Sequence, residues 1–176
     1  MVRRMDRWVR AAALLALTLG MTGCGERKGD GGDAASAAQA LLAAVQTGDA
    51  KAFEAQLDRP ALRADLRAQL QTMAQASGLD VAGGAADFAL DRMIAPEAFR
   101  LVRSQDGAQL TTAPSLGQVT ALMTPLAKDR ACLHDLVAPQ RCVLTFARHE
   151  DSWRLVAMPA YDLRIVVPPE PAPAKS

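Results

Sequence analysis

The period of the apolar residues changes once along this chain, and that change limits the folds open to it. Leu62, Leu66, Leu70 and Met73 recur at spacings of four, four and three, which is one face of a helix. After Asp129 the pattern alternates instead. "RACLHDLV", "RCVLTFAR" and "WRLVAMPA" are short, rich in β-branched and apolar residues, and separated by turn material. Helices followed by strands, rather than interleaved with them, predict an α+β chain with N-terminal helices packed on a C-terminal antiparallel sheet of three to four strands.

The helical half can be read further. "AASAAQALLAAVQTGD" is alanine-rich, with Leu41, Leu42 and Val45 as an apolar edge. Gly48 is placed to end that helix, and Asp49 to cap a second, "AKAFEAQL", with Phe53 and Leu57 a turn apart. Asp58 caps a third, with Pro60 tolerated in its first turn. Along that helix Arg59, Arg63 and Arg67 form a basic row, read as a solvated face paired with Asp58 and Asp65 rather than a phosphate site. "AADFALDRMI" predicts a fourth helix carrying Phe88, Met93 and Ile94, and "PEAFRLVRSQ" a restart with Pro96 at its first position. Residues 107–128 read as a short helix or an irregular edge. In the strand half Cys142, Leu144 and Phe146 share one face, as do Trp153, Leu155 and Ala157, with "HEDS" as a compact turn between the two strands. "YDLRIVV" adds a last strand. Trp153 is expected to be buried against the helix bearing Leu62, Leu66 and Leu70.

The chain opens with Arg3, Arg4, Arg7 and Arg10 against one acid, Asp6, and continues with 13 uncharged residues from Ala11 to Gly23. A basic start, a short apolar run and small residues before a cut are the layout of a secretory signal. The run is too short for a spanning helix, which needs about 20 apolar residues. "MTGC" then resembles a bacterial lipobox, with Thr22, Gly23 and Cys24 in place and Met21 where leucine is commonest. The resemblance implies cleavage before Cys24 and a diacylglyceryl group on its sulfur, so residues 1–23 are the expected signal peptide. Residues 24–33, mostly glycine and charge, are the expected flexible tether. Residues 34–167 suit a single domain, and residues 168–176, "PPEPAPAKS", a proline-rich unpacked tail. Gly25 after the cysteine, in place of the retention aspartate of enteric lipoproteins, points to the outer membrane, facing the periplasm. The chain has 20 basic and 19 acidic residues; removing the signal leaves 16 against 18. That balance offers no basic stripe for a nucleic acid.

Cys132 and Cys142 are the cysteines that remain once Cys24 is lipidated. Exported proteins commonly pair such residues, and a bridge ten residues apart can close a hairpin. The alternative is a redox-active pair, which usually has Cys-x-x-Cys spacing at a helix start.

"AVQTGDAKAFEAQLDRPALRADLRAQL", residues 44–70, resembles the opening of a bacterial family known as domain-of-unknown-function twenty-nine thirty-nine. The shared pattern is Gly48, Asp49, Ala50, then Leu57, Asp58, Pro60, Leu62 and Arg63. "APEAF", residues 95–99, is similar to the family's middle segment, and "VLTFARHEDSWRLVAM", residues 143–158, to its closing hairpin. The lipobox departs from the family's membrane-spanning start. The resemblance implies no activity. The element order also resembles nuclear-transport-factor-two-like cones, which implies a curved sheet with a pocket.

Catalytic groups are sparse. His149 falls in a turn. His134 alternates onto the same face as Cys132 and Leu136 and is placed to face a pocket; His134, Phe146 and Trp153 are the candidate pocket residues. One histidine beside Asp135 is not a metal set, since adjacent strand residues point to opposite faces. No nucleophile-elbow or phosphate-loop motif is present, and no cofactor is implied. The expectation is a lipid-anchored envelope protein that binds a small apolar ligand or a partner protein. The alternatives are a cone-fold enzyme pairing His134 with Asp87 or Asp91, and a structural lipoprotein with a filled core.

Overall fold

The computed structural model describes residues 30–79, 84–161 and 163–170. Cys24 and the stretch expected to be a signal peptide lie outside the described residues. The chain is α+β. Among the described residues five helices, α1 (Asp30–Thr47), α2 (Ala50–Ala55), α3 (Arg59–Ala76), α4 (Asp87–Met93) and α5 (Leu116–Thr120), accompany six strands. β1 is Phe99–Arg103, β2 Met123–Ala127, β3 Arg130–His134, β4 Cys142–His149, β5 Ser152–Ala157 and β6 Leu163–Val167. β2, β3, β4 and β5 form one antiparallel sheet in that order, and β1 pairs with β6 in parallel as a separate sheet.

Local chemistry sets the helix boundaries. α1 ends where Gly48 takes φ +69°, with Asp49 N–H donating to Ala44 O at 3.0 Å and Gly48 N–H to Val45 O at 3.3 Å. These two bonds satisfy carbonyls that a helix end leaves open. Asp49 caps α2 by accepting from Ala52 N–H, and Asp58 caps α3 by accepting from Ala61 N–H. Each cap is worth about 1 kcal/mol. α1 begins at Asp30, so its backbone takes in the last four residues of the segment read as a tether.

α1 and α3 lie against the four-stranded sheet. The space between is solid: Leu41, Leu42, Leu62, Leu66, Phe146 and Leu155 are all fully buried. Alanines at 34, 35 and 38 are also fully buried and let α1 approach closely. β5 is closed on its outer edge by the residues before α3, where Leu155 N–H donates to Gln56 O at 2.8 Å and Asp58 N–H to Leu155 O at 2.9 Å. β2 is the opposite edge, and Pro125 suits that position because it has no N–H to offer another strand.

Several expectations need correction. "PEAFRLVRSQ" is not a restarted helix: a 3-10 turn over Pro96–Ala98 leads into β1. Phe99, Leu101 and Val102 are buried there, and the strand is held by β6 about 60 residues later in the chain, a partner no local pattern reveals. The last strand therefore does not extend the antiparallel sheet; β2 supplies its fourth member. Phe88 is 74% exposed, while Leu90 and Ile94 carry the apolar side of α4. In β4 a register shift opposite Leu133 and His134 moves Cys142 off the face shared by Leu144 and Phe146. In β5 a second shift buries Val156 and leaves Ala157 half-buried. The basic row on α3 also has other partners. Arg63 holds Asp91 through two bonds of 2.8 and 2.6 Å, Arg59 reaches Asp91 at 2.9 Å and also pairs with Glu54, and Arg67 meets Asp87 at 2.5 Å. The row ties α3 to α4. The tail is anchored at its start, where Gln118 Nε2 donates to Pro168 O at 2.7 Å and Ser115 Oγ to Glu170 at 2.8 Å.

A candidate binding recess beside His134

The turn from α5 into β2 and the loop from β3 to β4 frame the recess that holds His134. α5 is only five residues long, so its capping box matters. Ser115 Oγ accepts from Gln118 N–H, and the Gln118 side chain accepts from Ser115 N–H at 2.9 Å. The chain then turns at Ala121 and Leu122 into β2. His134 N–H donates to Leu122 O at 2.9 Å, which fixes the end of β3 against this turn.

The loop over residues 135–141 is braced at its base. Cys132 and Cys142 form a disulfide with Cα atoms 5.6 Å apart. Asp135 is buried, and its Oδ1 accepts from Val137 N–H at 2.8 Å while Oδ2 pairs with Arg141. The backbone repeats the closure: Asp135 N–H donates to Arg141 O at 3.0 Å and Arg141 N–H to Ala138 O at 2.8 Å. A buried carboxylate is costly without such partners. The rim residues are nonetheless apolar, with Leu136 36% and Val137 80% exposed.

Between the turn and the loop lies a recess of about 360 Å³, lined by Leu122, Thr124, His134, Asp135, Leu136 and Pro139 among others. His134 Nδ1 is buried without a hydrogen-bond partner. Leaving such an atom unpaired costs about 1–3 kcal/mol. Because Leu133 faces the core, alternation turns His134 toward the other side of the sheet.

The candidate pocket residues do not converge. Phe146 is fully buried and Trp153 is 5% exposed, both in the core beneath α1 and α3. Trp153 carries the Arg148 guanidinium over its ring at 5.4 Å, and its Nε1 has no partner. A cone-type pocket would open between helices and sheet, and that space is filled. Asp87 and Asp91 are occupied by the arginines of α3, which hold the Asp91 carboxyl below its ordinary pKa: the Arg63 hydrogen bonds act most strongly, against desolvation. His149 pairs with Asp58 at 3.0 Å. Among the described residues no group of three or more His, Cys, Asp or Glu side chains is placed to hold a metal ion, and no helix is long and apolar enough to cross a membrane. Sequence reasoning missed Leu122, Thr124 and the Asp135–Arg141 clamp. The available signals were the Ser-x-x-Gln box at Ser115 and an acid and a base just inside the two cysteines.

A family model described as "Protein of unknown function (DUF2939)" matches residues 32–102. The match runs from the third residue of α1 through all but the last residue of β1 and stops short of the recess. No curated protein and no solved structure matches the chain. The likeness to cones thus rests on element order alone.

Proposed function

We propose that this is a lipid-anchored envelope protein that binds a small, mainly apolar ligand in the recess beside His134. The anchor is the diacylglyceryl group expected on Cys24, and the location is the periplasmic side of the outer membrane. The observation that carries the binding reading is the recess itself: apolar walls from Leu122, Leu136 and Pro139 around one imidazole. Ligand sites commonly combine an apolar lining with one or two polar groups that fix orientation. The disulfide and the Asp135–Arg141 clamp support this reading, because a rigid rim lowers the ordering cost of binding. Proton-transfer chemistry at His134 is less well supported, since the neighbouring Asp135 carboxylate is committed to Arg141 and Val137 N–H.

The test is a fluorescence titration of the mature chain with cis-parinaric acid, a fatty acid that emits in apolar surroundings. Saturable binding should be seen, and Leu136→Lys should weaken it about tenfold or more by setting a charge in the apolar wall. Binding that Leu136→Lys and His134→Leu both leave unchanged would place the ligand elsewhere and end this reading.

A further inference from the structure

We propose that the end of the domain formed by α5 and the 135–141 loop docks on the bilayer surface next to the lipid anchor. This docking rests on the anchor at Cys24 proposed above and adds an orientation to it.

The first argument is reach. Cys24 stands six positions before Asp30, where α1 begins. Even fully extended, six residues span roughly 20 Å at about 3.3–3.6 Å each. The start of α1 is therefore held close to the headgroups. The second argument is what lies beside it. Gln46 Nε2 donates to Leu110 O at 3.0 Å, and Gln39 Nε2 to Pro114 O at 3.4 Å. Residues 110–114 thus run back along α1 toward its N-terminus, and α5, which packs on α1, follows directly. Ala121 and Leu122 come next and share a recess with Leu136 and Pro139. α5 and the 135–141 loop therefore belong to the end of the domain from which α1 starts.

That end exposes apolar side chains. Leu116 is 48%, Leu136 36% and Val137 80% exposed. The loop that presents two of them is stiffened by the disulfide and by the clamp between Asp135 and Arg141. Rigid presentation of leucine and valine suits an interface that accepts apolar side chains at headgroup depth. The anchor supplies the affinity and the loop sets the orientation, which brings the mouth of the recess to the membrane surface. A ligand drawn from the bilayer would then enter without crossing water.

The test separates docking from lipidation. In the mature chain, with Cys132 and Cys142 bridged, Cys24 is the one free thiol. It can be coupled to a maleimide-bearing lipid in vesicles of phosphatidylethanolamine and phosphatidylglycerol, whether or not bacteria acylate it. Val137→Trp reports on the loop, and Asp151→Trp on the turn between β4 and β5; Trp153 is a buried, constant background. Interfacial side chains sit roughly 5–10 Å deep, so brominated lipid should cut emission at residue 137 about twofold or more and leave residue 151 unchanged. The contact is apolar, so about 0.5 M salt should not remove the effect. Equal quenching at both positions, none at 137, or loss of quenching in salt would overturn the docking. So would a blue-shifted residue 137 in a soluble dimer, which would give this surface to a second copy. None of these results bears on the native anchor, which the mass of the membrane-bound protein decides separately.

Discussion

Replacing Trp153 by alanine should destabilise the domain strongly. The ring is 5% exposed within the cluster that joins α1, α3 and the antiparallel sheet. Truncating a buried tryptophan costs about 3–5 kcal/mol. Part is returned, because the indole Nε1 is buried without a partner and removing it relieves about 1–3 kcal/mol. A net loss of about 2 kcal/mol corresponds to a fall in melting temperature of roughly 5–10 °C for a domain of this size. Trp153→Phe separates the two contributions. It keeps most of the ring under Arg148 and removes the orphaned N–H, so its cost should stay below about 1 kcal/mol. Far-UV circular dichroism melts of the mature chain, with the disulfide intact, measure both. An unchanged transition in Trp153→Ala would refute the core placement. A phenylalanine variant as damaged as the alanine one would show that the indole N–H is in fact paired.

Other consequences follow from named contacts. Replacing both Cys132 and Cys142 by serine should cost about 2–3 kcal/mol through the freed ten-residue loop, and peptide mapping of unreduced protein should recover the two cysteines in one linked fragment. Asp91 is held below its ordinary value of 3.8 by Arg63 and Arg59, so its contribution is complete above about pH 4 and fades as pH falls through the lower folded value. The gap in melting temperature between wild type and Asp91→Asn should narrow below pH 4; a gap constant from pH 7 to 2 would contradict the pairing. Gly48→Ala should cost about 1 kcal/mol from backbone strain alone, because φ is +69° and a Cβ there meets nothing within 4 Å; a neutral variant in chemical denaturation would argue against the glycine cap.

The legible parts of the fold were those fixed by neighbours in sequence. Asp49, Asp58 and Gly48 act within a few residues of where they stand, and each does what its type predicts. The hairpin turn between β4 and β5 is equally local. β1 was hidden because its partner is distant, and "FRLVR" satisfies a helical face as well as a buried strand. β2 was hidden because an edge strand mostly exposed on both faces shows no period. Simple alternation puts Cys142 and Ala157 on the wrong faces because a register shift resets it without changing the composition of the strand. At the site, alternation singles out His134 on the face of Cys132 and Leu136, but its setting also depends on Ala121, Leu122 and Thr124, which the turn from α5 into β2 supplies. Phe146 and Trp153, expected in the same pocket, are packed into the core instead.

The measurement that bears most directly on the lipid-anchored reading is the intact mass of the protein recovered from the membrane fraction of a bacterium that expresses the full chain. The account predicts a chain beginning at Cys24 and heavier than its sequence by a diacylglyceryl group, with any further acylation at its new N-terminus. A chain that retains Met1, or one cut elsewhere and carrying no acyl mass, would contradict it.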